Sequence, residues 1–291
     1  MKSVITFNED LAVIHAYLCA DGYLCKRSKR NRWYRFGLRN TNFTLLKDYQ
    51  KRVKQYFGVE PHITDGRCDF TCKSAYSFLV KNFKSFHSYE WLFPKQMPRK
   101  YYAIWLRTFF DCEAWITKIK GKDRSVSLEC VNEKGMIEIK KVLKKLGIRS
   151  TLNKRQTRNV FILKIYERKN ISKYQKIINF LHPEKKENLQ KSIDTFVNYS
   201  WKFPKNTKLL KNFVKEKMIE KTIIDKFGRI RFCSNRKVNL TKLSNYLKKF
   251  YLIKSKVSKA RHNGIGTKYY ELSIEQKKEV QKVVDNELIA N

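Results

Sequence analysis

Two carboxylates stand 92 positions apart in matching surroundings. Asp21 lies next to last in the stretch Ile14 to Gly22, and Glu113 next to last in Leu106 to Ala114. Each stretch reads as a short apolar helix with small residues at its third and seventh places: Ala16 and Ala20 in the first, Thr108 and Cys112 in the second. Places three and seven are one helical turn apart and share a face. A face of small residues lets two helix backbones approach closely, so the pair would cross there and bring Asp21 and Glu113 together at the helix C-termini. Two carboxylates beside the negative ends of two helix dipoles form a site for divalent cations.

The elements that must position these acids follow from periodicity. Asn8 is a suitable N-cap for the first helix, which stops at Asp21-Gly22. Tyr23 to Lys26 and Trp33 to Asn40 alternate in the strand manner around a basic tip, Lys26 to Arg32. Phe43 to Phe57 carries apolar residues at helical spacing and ends at Gly58. A second hairpin is centred on Asp65-Gly66, and Ser74 to Phe83 is a closing helix. The second motif opens the same order again, with strands at 115–119 and 126–131, a helix over 135–146, a hairpin at 150–154 and 160–166, and a closing helix over 171–181. The fold class is therefore α+β, a duplicated α-β-β-α-β-β-α core with antiparallel sheets and a pseudo-twofold between the motif helices.

A further echo follows. Trp91-Leu92-Phe93-Pro94-Lys95 recurs as Trp201-Lys202-Phe203-Pro204-Lys205, and the segments after it match the second half in order and approximate spacing. The predicted division is a first half at 1–93, a second at 94–204 and a C-terminal basic α/β module at 205–291. The module reads either as a degenerate third half, with Lys217 near the place of Glu113, or as a winged helix with Leu240 to Phe250 as its recognition helix.

Charge names the kind of partner. The 291 residues hold 64 Lys and Arg against 26 Asp and Glu, a formal net charge of +38. That excess implies a polyanion, with nucleic acid foremost. With 42% hydrophobic and 14% aromatic residues the charge sits on a folded surface, not on a disordered tail. No apolar run suits a membrane span and no signal-peptide pattern precedes the first motif, so a soluble, cytoplasmic protein is expected. The seven cysteines are odd in number and interleaved with apolar residues, and the five His are scattered, which argues against a disulfide framework and a His-based metal site.

The two motifs, the duplication and the basic strands together resemble the LAGLIDADG homing endonucleases in their single-chain, two-motif form, over about Asn8 to Pro183. The resemblance implies a monomeric, site-specific endonuclease that hydrolyses both strands of a long asymmetric DNA target. It makes Asp21 and Glu113 the ligands of Mg²⁺, with Mn²⁺ as a substitute. It also makes Lys95-Gln96-Met97-Pro98 the match to a Lys-x-Ile/Met-Pro signature whose lysine works in the active site, with Lys205 as its counterpart for the second strand. The sheets would carry recognition through Arg27, Lys29, Arg30, Arg32, Arg35 and Arg39 in the first half. In the second half Lys118, Lys120, Arg124, Lys154, Arg155 and Arg158 would do so, with Gln156 among them. Asn40 and Thr41 align with the polar residues that follow the strands. Departures are Cys19 where the family often has Asp, a place that Asp111 keeps, and Ala114 in place of the final Gly. The same fold in an RNA-binding intron maturase, or in a DNA-binding regulator that no longer cuts, is the alternative. With only 13 residues before the first motif, a free-standing protein is expected rather than an intein.

Overall fold

The Asn8 side chain accepts a hydrogen bond from the Leu11 backbone N–H at 2.9 Å, and helix α1 (Glu9–Cys19) starts there. From Leu11 to Cys19 every residue of α1 is buried, as expected of a helix apolar on all sides. The computed structural model describes residues 7–26, 33–118, 124–194, 196, 199–203, 210–225, 227–262 and 268–289. They fall into two compact units, 1–196 and 197–291.

In the first unit α1 is followed by β1 (Gly22–Lys26), β2 (Tyr34–Arg39), α2 (Phe43–Phe57), β3 (His62–Thr64), β4 (Arg67–Thr71) and α3 (Lys73–Asn82). After a 3-10 turn at Arg99–Tyr101 the order repeats as α4 (Tyr102–Glu113), β5 (Ala114–Lys118), β6 (Arg124–Cys130), α5 (Glu133–Lys145), β7 (Thr151–Lys154), β8 (Phe161–Ile165) and α6 (Arg168–Ile177). The strands form two antiparallel sheets, ordered β1-β2-β4-β3 and β5-β6-β8-β7. Their registers correspond. Gly22, directly after Asp21, pairs with Leu38, which pairs with Cys68; Ala114, directly after Glu113, pairs with Leu128, which pairs with Leu163.

One apolar core runs through both halves, with α1 and α4 packed together inside it. The outer helices are amphipathic: Leu45, Leu46, Tyr49 and Val53 of α2 and Met136, Ile139, Val142 and Leu143 of α5 face inward. Both take an Asn N-cap, Asn42 and Asn132, whose side chain accepts from backbone N–H groups of the first turn. Where the sequence pattern ends with a closing helix, the structure continues. Helix α7 (Pro183–Asp194) follows α6 and packs against β5.

The second unit runs α8 (Leu210–Lys221), β9 (Ile223–Ile224), β10 (Ile230–Ser234), α9 (Lys237–Tyr251), β11 (Lys256–Val257), β12 (Arg261–His262), β13 (Lys268–Ile274) and α10 (Lys277–Asp285). Its main sheet is ordered β9-β10-β13-β11, with β12 also on β13. Trp201, Val214, Met218, Phe232, Leu243, Leu272 and Val283 are among the residues of its own core. Among the described residues, no helix is long and apolar enough to cross a membrane.

Candidate active site

Helices α1 and α4 pack against each other. Across the pair the Trp105 indole N–H donates to His15 Nδ1 at 3.1 Å. Burial holds the His15 imidazole down to about 3, so at neutral pH it is uncharged and can accept that bond. Trp105 also stacks on Phe109, with ring centroids 5.2 Å apart. Thr108 keeps its hydroxyl out of the apolar contact by donating to the Ile104 carbonyl at 3.0 Å.

Asp21 and Glu113 lie together at the C-terminal ends of these helices. Their fields overlap: burial first, and then the neighbouring Asp21, raise the Glu113 carboxyl to about 7. The two acids are held differently. Asn40 donates its side-chain N–H to Asp21 Oδ2 at 2.8 Å, while the Arg39 backbone N–H fixes the Asp21 carbonyl at 3.1 Å. By sheet register the place of Asn40 in the second half is Cys130, whose thiol lies near Glu113 and offers no comparable donor. Asn40 is thus a side-chain donor to Asp21, and among the described residues the register place of Asn40 beside Glu113 holds a thiol instead.

Asp111, the sixth residue of the second motif, has a supporting task. It is 1% exposed, yet it accepts backbone N–H bonds from Leu181 at 3.0 and 3.1 Å and from His182 at 3.0 Å. Burial raises its carboxyl to about 6, against the lowering effect of those amides. The held segment places His182 Nε2 3.1 Å from the Asn42 side-chain nitrogen and starts α7 at Pro183. One turn into this segment Lys185 donates to the Asp111 carbonyl at 2.6 Å and to the Cys112 carbonyl at 3.3 Å. Its ammonium caps the open carbonyls of α4 and interacts electrostatically with both Asp21 and Glu113. Burial lowers the Lys185 pKa. In the first motif Cys19 occupies the place of Asp111; its thiol lies 3.4 Å from His15 Nδ1 instead of holding a backbone segment.

Lys185 and His182 have no place in the sequence reading. Their signals were Pro183 at a first helical position, Glu184 in the first turn and buried Leu189 one and a half turns later. Lys95 is exposed and lines grooves with Phe93 and Tyr102 at the start of α4. Eleven helical residues, about 16 Å at 1.5 Å each, separate Tyr102 from Glu113. The lysine that the fold brings to the acids is Lys185. Lys205, Arg27, Lys29, Arg30, Arg32 and Lys120 lie outside the described residues, as does the side chain of Lys118.

Of the remaining recognition candidates, Arg35 and Arg39 lie on the outer face of the first sheet and Arg155 and Arg158 at the β7–β8 turn, whereas Arg124 and Lys154 stand at strand ends on the helix side of the second sheet, sharing a face with Val126 and Leu128 and with Leu152. Arg35 pairs with Asp69 at 2.6 Å, Tyr23 donates to the same carboxylate at 2.5 Å, and Arg39 lies over the Tyr23 ring. In the second sheet Arg155 and Arg158 reach Glu129 at 3.0 and 3.8 Å, Lys154 lies over the Phe161 ring, and Arg124 over that of Phe196. Gln156 is exposed in the turn. A concavity of about 860 Å³ runs between α5 and β7–β8 and contains neither motif carboxylate.

Residues 100–179, from before α4 to the end of α6, match a family model described as a LAGLIDADG-like domain. Residues 9–82 have the same element order, the same strand order and the same register after the motif acid as that stretch. Among solved structures, the chain is similar to I-DmoI in complex with DNA and Mn, at 16% identity and a TM-score of 0.43, over 58% of this chain and 97% of that one. It is similar also to the homing endonuclease I-WcaI bound to its DNA recognition sequence, at 15% identity and a TM-score of 0.45, over 65% and 89%. A third is the N-terminal LAGLIDADG domain of WhiA, at 13% identity and a TM-score of 0.39, over 60% and 84%. No curated protein matches the chain.

Proposed function

We propose that the chain is a site-specific DNA endonuclease that hydrolyses phosphodiester bonds on both strands of a long asymmetric target, with Mg²⁺ or Mn²⁺ held by Asp21 and Glu113. The observation that carries this reading is the meeting of the two motif carboxylates at the foot of the paired helices, where burial and then the charge of Asp21 raise Glu113 to about 7. A like-charged buried pair is costly without a cation. Among the described residues no cluster of three or more His, Cys, Asp or Glu is arranged to hold a metal. Two carboxylates nevertheless suit Mg²⁺, which takes one or two of them and fills its remaining positions with water and phosphate oxygens.

When bound, such an ion activates water and offsets charge on the attacking and leaving oxygens. The chain's own residues prepare the site. Asn40 fixes the rotamer of Asp21, Asp111 anchors the backbone at 181–182, and Lys185 sets a positive charge where a scissile phosphate must approach. The outer sheet face with Arg35 and Arg39 and the β7–β8 turn with Arg155 and Arg158 supply phosphate and base contacts in the major groove, with Arg124 and Lys154 at strand ends of the second sheet adding backbone contacts. Two acids in one chain let a single copy cut both strands, as homing of a mobile intron requires.

The test is cleavage of the intron-less allele of the host gene in Mg²⁺. Asp21→Asn and Glu113→Gln are each expected to abolish cutting while binding in Ca²⁺ survives. Cutting that persists unchanged in both variants would remove the site assignment. Binding without cutting at any metal or temperature would leave a DNA-binding regulator, and selective binding of the host intron RNA would leave a maturase.

A further inference from the structure

The second unit repeats the half-domain without its acid. The strand order β9-β10-β13-β11 is that of β5-β6-β8-β7, and α9 and α10 take the places of α5 and α6. Side-chain contacts repeat as well. Trp91 is clamped by Asn132, which donates to its carbonyl at 2.6 Å; Trp201 is clamped by Asn239, which donates to its carbonyl, while the Trp201 indole N–H reaches the Cys233 carbonyl at 3.0 Å. Register locates the missing acid. Ile230 pairs with Ile224 and Ile274 as Val126 pairs with Ile116 and Ile165. Counting back three residues from Ile116 gives Glu113, and from Ile224 gives Lys221. Lys217, which the sequence spacing favours for that place, lies one turn earlier.

The outer face of this sheet is built like the outer faces of the two sheets in the first unit. Each presents one partly or fully buried carboxylate that holds two guanidinium groups. In the first sheet Asp69 holds Arg35 at 2.6 Å and Arg67 at 4.0 Å. In the second, Glu129 holds Arg155 and Arg158. In the third, Glu271, 6% exposed, holds Arg231 at 3.7 Å and Arg261 at 3.2 Å, and Asp225 adds a second hold on Arg231 at 3.0 Å. The three carboxylates do not share one ladder position, so the device belongs to the face and not to a single inherited residue. Such a hold fixes long cationic side chains in one orientation and lowers the entropy lost when they meet phosphate or a base edge.

We infer that the outer face of the β9-β10-β13-β11 sheet is a further duplex DNA-binding surface, using Arg231, Arg261 and Lys256, in a half that binds without cutting. Charge complementarity names a polyanion: residues 197–291 carry 23 Lys and Arg against 8 Asp and Glu. The surface shape favours a DNA duplex over RNA. A twisted antiparallel sheet fits the wide major groove of B-DNA, whereas the deep, narrow groove of an RNA helix excludes it. Single-stranded RNA is read by aromatic rings left free to stack on bases; here Tyr269 of the outer face is already stacked on Tyr199, with centroids 4.9 Å apart and planes 16° from parallel.

The test uses the full-length protein and a labelled random-sequence DNA duplex of about 40 base pairs, with anisotropy followed over a range of salt concentrations in Ca²⁺. Each phosphate contact contributes about 0.9 to the slope of log affinity against log salt. Arg231→Gln with Arg261→Gln is expected to reduce that slope by about two. Arg231→Lys with Arg261→Lys, which keeps counter-charges beside Glu271, should retain it. Should the Gln pair unfold the unit by circular dichroism, Lys256→Gln alone, an exposed change on the same face, should reduce the slope by about one. An unchanged slope in the folded variants would overturn the inference, as would a loss seen with an RNA hairpin but not with the duplex. Arg35→Gln with Arg39→Gln is the control: if it too leaves the slope unchanged, the proposed DNA-binding function itself fails. The readout is binding, so loss of cleavage alone leaves this inference standing.

Discussion

Glu113 is the residue on which pH acts most directly. Its folded pKa of about 7 lies above its ordinary value, so between pH 4.5 and 7 the native protein holds a proton that the unfolded chain has released. Without metal, stability from this group is present below that window and is lost as pH rises through 7. Melting curves in EDTA should therefore show Glu113→Gln more stable than wild type at pH 8, by about 2 kcal/mol, with the gap closing at pH 5. His15 acts in the opposite sense. Its folded pKa of about 3 makes stability fall as pH drops below 6.5 in both proteins, so it cancels from the comparison. Lys185 opposes the rise at Glu113, and Lys185→Met should move the pH dependence of cleavage to the alkaline side. A change in rate without a shift of the profile would limit Lys185 to its carbonyl contacts.

At the scale of elements, the two motif helices end differently. Helix α1 stops at Cys19 and turns through Ala20 and Asp21, whereas α4 runs to Glu113 and enters β5 directly. The turn folds Gly22 back over α1: a Cβ there would stand 2.3 Å from Leu18 Cα and 2.9 Å from the Tyr17 carbonyl oxygen, both backbone atoms that cannot move aside. Ala114 holds the same register place in the second half and carries its Cβ with 3% exposure. Gly22→Ala should thus destabilise the protein by about 2–3 kcal/mol, read by urea denaturation, and displace Asp21 from Asn40. A cost below about 0.5 kcal/mol would show that the turn has another accessible path. Helix α7 is the element whose chemistry was least visible in advance. Its composition is that of a solvated helix, and the backbone hold by Asp111 together with packing on β5 brings Lys185 onto the end of α4.

For the whole molecule, one chain supplies both carboxylates, so a single copy should suffice. Cleavage at limiting protein is expected to be first order in enzyme, and sedimentation should show one chain per duplex; second-order dependence would mean that a second copy completes the site. The sequence by itself determined most of this architecture. Apolar periodicity, Asn caps and turn residues fixed the repeated order of helices and strands, because those signals are local and the same pattern is met twice. It also marked Asp21 and Glu113, since two carboxylates at matched places of two small-faced helices have few structural explanations. The tertiary structure decided what depends on chain segments far apart in sequence. Lys185 reaches the α4 carbonyls across more than 70 residues, Asn40 donates to Asp21 from the end of β2, and Lys95 stays at the opposite end of α4. The strand order of the second unit, with β10 paired to both β9 and β13, was likewise beyond the sequence, because one helix flanked by short basic strands is the same local pattern in a winged helix and in a third half.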